Sequence, residues 1–378
     1  MPRQIPSIHP VTPNLEATQL RATDAGTAGF GRRFEKQFAP DYLRHTTFGP
    51  TISSIGIGTY LGDSTDQDDT AYESAVRYAI ASGINLIDTA INYRSQRSER
   101  SVGAAIQQSL SFGEASRQEL VVCSKGGYIP LDGTPPATRE EYQAYVQREF
   151  IDQQIVHPEE IVAGGHVLAP RFLRYCLAKS RQNLGLRTID VYYVHNPAQQ
   201  LSVVTPEELM SRMRGAFGML EESVSRGEIG VYGCATWDDL RTPPGAKGHL
   251  SLEDLVAEAR SLAGDAHHFR VIQLPINLMM LEGVRAATQI VGGKTMSVVE
   301  AAAELGLTVV ASATLMQAGL SSGLPAPVRE AFPAFTTDAQ RAIAFTRTLP
   351  GVASALVGMK RMEHVKENLD AGRGGLAA

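Results

Sequence analysis

The chain has 378 residues, of which 43% are hydrophobic and 20% are charged, and its formal net charge is −5 at pH 7. This length fits two ordinary domains or one large barrel domain, which typically takes ~250 residues before insertions. The slightly acidic charge gives no reason to expect nucleic acid or an anionic membrane as a partner. No stretch is long and apolar enough to predict a membrane span.

The first residues contain no apolar core of signal-peptide length. The three cysteines suggest no disulfide framework, because Cys123 and Cys234 fall in strand-like runs and Cys176 falls in a helical one. We therefore expect a cytoplasmic protein with reduced thiols.

Residues 1–44 are rich in proline, threonine, arginine and glutamine and lack sustained periodicity. We predict that they form a mobile or loosely packed N-terminal extension. The predicted barrel domain covers residues 45–378, and its first strand is expected at 52–59.

From residue 51 onward, strand-like and helix-like runs alternate, a pattern typical of parallel βα units. Strands are predicted at 52–59, 84–87, 120–124, 189–194, 230–234, 271–274, 308–311 and 353–357. Helices are predicted at 68–82, 98–110, 170–184, 205–226, 252–262, 297–305, 338–348 and 363–370. A right-handed series of this length closes into a barrel. We therefore predict a single-domain α/β fold of the (β/α)8 TIM-barrel type.

Residues 127–169 form a long insertion after the third predicted strand. Loops of this length are usually functional or disordered, and this one leaves from the mouth of the barrel. Its aromatic side chains, Tyr128, Tyr142, Tyr145 and Phe150, predict a lid over the active site. A surface decoration is the alternative.

Three predicted strands end on polar side chains, namely Asp88, Lys125 and His195. Taken singly, each has a structural explanation: a helix N-cap, a solvated strand end and a histidine satisfied within the fold. The carboxyl ends of barrel strands meet at one rim, however, where TIM-barrel enzymes carry their chemistry. Together the three residues predict an acid/base cluster there.

The spacing of these residues and their neighbours resembles the aldo-keto reductase family. The matching residues are Asp88-Thr89-Ala90, Tyr93, Ser98-Glu99, Gly103, Lys125 and His195-Asn196-Pro197. The resemblance extends from about residue 48 to the C-terminus, apart from the insertion. It implies a catalytic tetrad of Asp88, Tyr93, Lys125 and His195, in which Tyr93 is the general acid.

The chemistry of carbonyl reduction suits these four side chains. A phenol with an ordinary pKa near ~10 is a poor acid at neutral pH, and we expect the Lys125 ammonium to lower the pKa of Tyr93. Asp88 would hold Lys125 through a charge-assisted hydrogen bond. His195 would donate a hydrogen bond to the carbonyl oxygen and orient it beside Tyr93.

The hydride must come from a cofactor, because no protein side chain supplies one. The scattered histidines predict no metal site, and the first βα turn lacks a G-x-G-x-x-G fingerprint. The resemblance implies instead a nicotinamide nucleotide bound largely by the second half of the barrel. The implied cofactor residues are Thr59, Asp88, Thr236, Gln273, Leu315, Gly358, Lys360, Arg361, His364, Glu367 and Asn368.

Gln273 resembles the glutamine that binds the carboxamide, and His364, Glu367 and Asn368 would surround the adenine. Lys360 and Arg361 would meet the 2′-phosphate, so two cations favour NADP(H) over NAD(H). A basic helix start in solvent is the alternative explanation of these two cations.

The chain also departs from the family at the nicotinamide end. Ala235-Thr236 stands where a Ser-Asn pair normally grips the carboxamide, and Ser312 stands where an aromatic residue normally stacks on the ring. Thr236 can keep one hydrogen bond, whereas Ser312 cannot stack. We therefore expect the nicotinamide to be held less firmly than the adenosine.

Several apolar residues are predicted at strand ends or mouth loops, where they suggest an adaptable substrate pocket, although each fits the core equally well. They are Tyr60, Ile91, Trp237, Met279 and Met280. The expected function is NADPH-dependent reduction of a small-molecule aldehyde or ketone, or the reverse oxidation of an alcohol. The alternative is a nucleotide-binding regulatory or scaffold protein on the same fold, as in the potassium-channel β subunits that resemble this family. The sequence leaves the substrate and the oligomeric state open.

Overall fold

A computed structural model describes residues 21–373. Eight parallel strands form a closed barrel in which each strand pairs with the next along the chain and the eighth pairs with the first. The predicted fold class is therefore confirmed. The barrel strands are β1 (Ile55–Gly58), β2 (Leu86–Asp88), β3 (Val121–Gly126), β4 (Ile189–His195), β5 (Ile229–Ala235), β6 (Phe269–Pro275), β7 (Thr308–Ser312) and β8 (Val352–Gly358).

Helices follow the barrel strands as the alternation predicts, and the end positions differ by only a few residues. Thr205, for example, caps its helix by accepting a hydrogen bond from the amide of Glu208. The helices are α1 (Asp24–Phe34), α2 (Asp66–Ala81), α3 (Arg97–Ser111), α4 (Arg139–Val146), α5 (Pro170–Leu184), α6 (Pro206–Ser225), α7 (Leu252–Ala263), α8 (Glu282–Arg285), α9 (Val298–Glu304), α10 (Ala326–Ala331), α11 (Asp338–Arg347) and α12 (Met362–Arg373). Among helices in residues 21–373, none has the length and apolarity needed to span a membrane.

The single strand predicted at 52–59 is wrong, because the chain breaks there into two short strands. Thr51–Ser53 pairs antiparallel with Leu43–His45, whereas Ile55–Gly58 is β1. At the break, the amide of Ser54 donates to the carbonyl oxygen of Tyr42 at 2.6 Å, and the Ser54 carbonyl oxygen accepts from the amide of Ala355. Ser54 therefore joins the antiparallel hairpin to the barrel.

The expectation of a mobile or loosely packed extension is wrong for residues 21–44. Phe30 and Tyr42 are fully buried, and the Tyr42 hydroxyl donates to the carbonyl oxygen of Gly83 at 3.1 Å. The Ala22 amide donates to Asp190 Oδ1 at 2.7 Å. The segment includes α1, and its apolar side chains are buried by contacts with residues distant in the chain, which local sequence does not reveal. The remainder of the predicted extension, residues 1–20, lies outside the described residues.

The insertion packs against α5 through Phe150. Phe150 is buried, with ring centroids 6.1 Å from Phe172 and 5.6 Å from Tyr175. The hydroxyl groups of Tyr142 and Tyr145 donate to backbone oxygens inside the insertion itself. These three aromatic side chains therefore bury the insertion's own core, and the expectation that they cover the active site is wrong.

Candidate active site

The three polar strand ends lie at the same end of the barrel. In the strand register, Asp88 of β2 is opposite Cys123, Lys125 of β3 is opposite Tyr193, and His195 of β4 is opposite Ala235. Asp88 is not a helix cap, because α3 begins at Arg97 and follows Gln96 as its N-cap. Lys125 and His195 are both buried, so neither is a solvated strand end.

Lys125 and Asp88 form a buried ion pair. Nζ of Lys125 lies 2.5 Å from Asp88 Oδ1 and also donates to the carbonyl oxygen of Thr89 at 2.9 Å. Asp88 Oδ2 accepts from Gln273 Nε2 at 2.8 Å. Burial pushes the pKa of Lys125 down, but the Asp88 carboxylate and the Tyr93 phenol raise it overall. Lys125 is therefore a fixed cation in a site removed from water.

Tyr93 lies in the turn after β2, with its ring centroid 4.8 Å from the Lys125 ammonium nitrogen. The Tyr60 ring packs edge-on against it at 5.1 Å between centroids. Burial raises the pKa of Tyr93 above its ordinary value, and the lowering effect of Lys125 is not large enough to reverse this. The expected net decrease in this pKa is therefore wrong. Tyr93 is a neutral phenol with a proton to donate.

The His195 ring contacts two aromatic side chains that line the cavity. Its ring lies edge-on to Tyr93 at 5.9 Å and to Tyr128 at 5.1 Å between centroids. Its backbone oxygen lies 2.8 Å from Nε2 of His166, a residue of the insertion. Burial, followed by the Lys125 charge, lowers the pKa of His195 well below its ordinary value. The imidazole is therefore neutral and can donate one N–H to a substrate.

A cavity of ≈ 1050 Å³ opens beside Tyr93 and His195 and extends toward the C-terminal helix. Every residue expected to bind the cofactor lines it. Lys360 and Arg361, expected at the 2′-phosphate, both face this cavity, and Lys360 forms an ion pair with Asp68. The cavity is large enough for a dinucleotide and a small substrate.

A model of the Aldo/keto reductase family matches residues 54–242, which are half of the chain. The chain belongs to the aldo/keto reductase family. The matched region runs from β1 into the loop after β5 and includes Asp88, Tyr93, Lys125 and His195. Among curated proteins, no significant match to the sequence is found.

Solved structures of other aldo-keto reductases share the fold. One from Klebsiella pneumoniae, in complex with NADP and acetate, is 19% identical with a TM-score of 0.60, and the match covers 89% of this chain and 92% of that one. AKR11C1 from Bacillus halodurans, in its holo form, is 16% identical with a TM-score of 0.58, covering 89% and 92%. The thermostable reductase Tm1743, in complex with the inhibitor epalrestat, is 20% identical with a TM-score of 0.59, covering 89% and 95%.

The positions at which this chain departs from its family also lie in the cavity. Ala235, Thr236 and Ser312 all line it. The Thr236 hydroxyl donates to the carbonyl oxygen of Gln273 at 3.4 Å, which is a long hydrogen bond. A stacking ring is thus absent from position 312, whereas Trp237, beside Thr236, lines the cavity and is 44% exposed.

Two of the five expected substrate residues line the cavity. Tyr60 and Trp237 do so, but Ile91, Met279 and Met280 do not. Ile91 is fully buried in the core between strands and helices. Met279 is 67% exposed, because Asn277 accepts hydrogen bonds from the amides of Met279 and Met280 and fixes a turn that directs them elsewhere. These three residues therefore do not line the cavity beside Tyr93 and His195.

Sequence reasoning missed three residues at this site, Asp68, His166 and Asn196, and it expected Tyr128 only as part of a lid. Tyr128 and Asp68 line the cavity, as does Asn196, whose Nδ2 donates to the Tyr128 hydroxyl at 3.0 Å. His166 lies behind His195. The sequence carried a signal for two of these residues, because Asn196 belongs to the His195-Asn196-Pro197 motif and Tyr128 to the predicted lid. Asp68 is one of several acidic residues in the first turn of α2, and nothing in the sequence distinguishes it.

Proposed function

We propose that the protein reduces an aldehyde or ketone to an alcohol with NADPH, or catalyses the reverse oxidation. The observation that supports this most strongly is the Lys125 ammonium, fixed by Asp88 and 4.8 Å from the centre of the Tyr93 ring beside a cofactor-sized cavity. A buried cation next to a neutral phenol is an arrangement suited to proton transfer.

Each tetrad residue has a separate role in the proposed reaction. A substrate carbonyl oxygen between Tyr93 and His195 would accept hydrogen bonds from the phenol and from the neutral imidazole. Tyr93 gives its proton to this oxygen as the alcohol forms, and the Lys125 charge stabilises the phenolate that remains. Asp88 keeps Lys125 charged and in place through the 2.5 Å hydrogen bond.

The residues around the cavity fit a nicotinamide dinucleotide phosphate, which supplies the hydride when bound. Lys360 and Arg361 supply positive charge at the adenosine end. The Thr314 hydroxyl is buried against the same cavity, and it has no hydrogen-bond partner among residues 21–373. A bound ligand would satisfy this group. Asp88 and Gln273 would lie beside the nicotinamide, with Leu315, Gly358, His364, Glu367 and Asn368 along the rest of the molecule.

Oxidation of NADPH with a panel of aldehydes and ketones tests this proposal, with cofactor binding measured separately by calorimetry. Turnover of at least one class of carbonyl supports the reductase. Binding of NADPH without turnover of any carbonyl contradicts it. That outcome would favour a nucleotide-binding regulatory protein, an alternative that Ala235 and Ser312 at the nicotinamide end also favour.

A further inference from the structure

Lys360, the lysine expected to meet a 2′-phosphate, is already bound to a carboxylate. Its Nζ lies 2.8 Å from Oδ1 and 2.9 Å from Oδ2 of Asp68, so both carboxylate oxygens share the ammonium. Asp68 comes from the first turn of α2, which follows β1, whereas Lys360 follows β8. The two strands are neighbours in the barrel, so the pair joins adjacent loops at the cavity.

Asp68 is a well-anchored anion rather than a loose surface charge. Its side chain is 10% exposed, and Oδ2 also accepts from the amide of Asp63 at 2.7 Å. Burial tends to raise the pKa of Asp68, but the hydrogen bonds from Lys360 and Asp63 lower it overall, with help from Arg94. The carboxylate is therefore ionised at neutral pH and faces the cavity.

The second cation, Arg361, differs from Lys360. Arg361 is exposed. Its carbonyl oxygen accepts from the amides of His364 and Val365, but its side chain makes no hydrogen bond or ion pair with another residue in the described part of the chain. Arg361 can therefore bind an incoming phosphate without giving up a partner. Lys360 can bind the phosphate only by leaving Asp68 or by sharing its protons between the two anions. Leaving a partly buried carboxylate without its partner costs free energy.

We propose that Asp68 sets the cofactor selectivity of the protein by competing with the 2′-phosphate of NADP(H) for Lys360. This inference rests on the proposed function, because it assumes that the cavity binds a nicotinamide nucleotide. Asp68 reduces the advantage of NADP(H) over NAD(H), since only the phosphorylated cofactor needs Lys360 and only it brings a further anion close to the carboxylate.

Asp68→Asn is the informative substitution. Asparagine keeps the shape of the side chain and an oxygen that can accept from the Asp63 amide, but it removes the charge that binds Lys360. Asp66→Asn is the matched control, because Asp66 lies in the same turn of α2 with a fully exposed side chain and pairs with Arg97 instead. Both variants change the net charge equally, so a general electrostatic effect would appear in both.

The measurement is the dissociation constant of NADPH and NADH, and of 2′,5′-ADP and 5′-AMP, by titration calorimetry of the full chain. The two adenosine compounds differ only in the 2′-phosphate, and they report binding without any reaction. We expect Asp68→Asn to tighten NADPH and 2′,5′-ADP by about fivefold, as for one partly exposed ion pair, while NADH and 5′-AMP change little. Asp66→Asn should leave all four constants near the wild-type values.

A double variant tests whether the effect passes through Lys360. In a Lys360→Met background, Asp68→Asn should lose most of its gain in affinity for 2′,5′-ADP. If Asp68→Asn tightens 2′,5′-ADP to the same extent in that background, or if it leaves the ratio of the NADPH and NADH dissociation constants unchanged, the inference is overturned. The proposed function still stands in either case when the wild-type protein binds the cofactor. If the wild-type protein binds neither NADPH nor NADH, both the inference and the proposed function are overturned. Thermal unfolding checks the fold of each variant, and Asp68→Ser repeats the test if the asparagine variant is unstable.

Discussion

His166 Nε2 lies 2.8 Å from the backbone oxygen of His195, so a residue of the insertion holds the strand end that carries a candidate catalytic side chain. Nδ1 of His166 accepts from Gln200 Nε2 at 2.7 Å, which leaves Nε2 as the donor. Arg212 in turn donates to Gln200 Oε1 at 2.5 Å. Through His166, the insertion therefore supports the active site from behind.

The first prediction concerns stability in mild acid. Burial lowers the pKa of His166 from 6.5 to about 4. Below pH ~6.5 the unfolded chain gains a proton at this histidine that the folded protein does not take up until pH ~4. The stability contribution of the neutral imidazole is therefore fully present above the higher of these two pKa values and is lost as the pH falls toward the lower one.

Urea unfolding of wild type and His166→Gln near pH 7 and near pH 5 checks this. We expect His166 to account for a loss on the order of 2 kcal/mol in the free energy of unfolding over this interval. His166→Gln should lose correspondingly less, because glutamine does not titrate there. Buried groups that do not contact His166 titrate in both proteins and cancel in the comparison. Equal pH dependence in the two proteins would contradict the assignment.

The second prediction concerns the phosphate end of the cofactor. Replacing both Lys360 and Arg361 with alanine should weaken NADPH binding at least tenfold more than NADH binding, because charge-assisted contacts contribute ~1.5–3 kcal/mol each. Calorimetric dissociation constants for the two cofactors provide the measurement. Equal losses for NADPH and NADH would show that these side chains do not meet the 2′-phosphate.

The third prediction concerns Tyr128, one of the four aromatic residues of the predicted lid. Tyr128 lines the cavity and packs against His195. Tyr128→Ala should raise the KM of bulky apolar carbonyls about tenfold more than that of small ones, because the larger substrates lose apolar contact area. The KM values of a series of aldehydes of increasing size provide the measurement.

Tyr145→Ala is the control for this experiment. Tyr145 belongs to the same insertion, but its hydroxyl donates to Pro130 and its ring packs on Phe150. This variant should lower stability without changing the ratio of KM values between large and small substrates. If Tyr128→Ala affects all substrates alike, Tyr128 acts only through His195 and not on substrate size.

The fourth prediction tests the nicotinamide end, where Ser312 replaces a stacking aromatic residue. If the ring is loosely held, Ser312→Tyr should tighten NADPH binding by ~0.5–1.5 kcal/mol, the contribution of an aromatic stack. Trp237 provides the opposite possibility, because it lines the same cavity. Weaker binding in Ser312→Tyr together with weaker binding in Trp237→Ala would show that Trp237 already stacks on the nicotinamide.

The fold was predictable because hydrophobic periodicity and helix-end residues are local signals. The helix predicted at 170–184, for example, matches α5, which has Pro170 at its first position. The strand ends carrying Asp88, Lys125 and His195 followed from the same alternation, since the topology of a parallel barrel brings its strand ends together. Placing Tyr93 among them required the family resemblance.

What the sequence did not reveal depends on contacts between distant residues. Ile91 and Met279 both lie near strand ends, but position along the chain does not tell whether a side chain points into the core, the cavity or solvent. The pKa of Tyr93 depends on how deeply the phenol is buried, and the apolar residues of 21–44 make sense only against the finished barrel. The pairing of Lys360 with Asp68 joins residues from opposite ends of the sequence.

The central claim is that Tyr93 donates the proton to a substrate carbonyl, and Tyr93→Phe tests it most directly. Phenylalanine removes the transferable proton and little volume, and the ion pair between Lys125 and Asp88 is retained. We predict that kcat/KM for carbonyl reduction by NADPH falls by ~10²–10⁴, the usual contribution of general acid catalysis, with the Kd of NADPH nearly unchanged. Wild-type turnover in Tyr93→Phe would contradict the proposed mechanism.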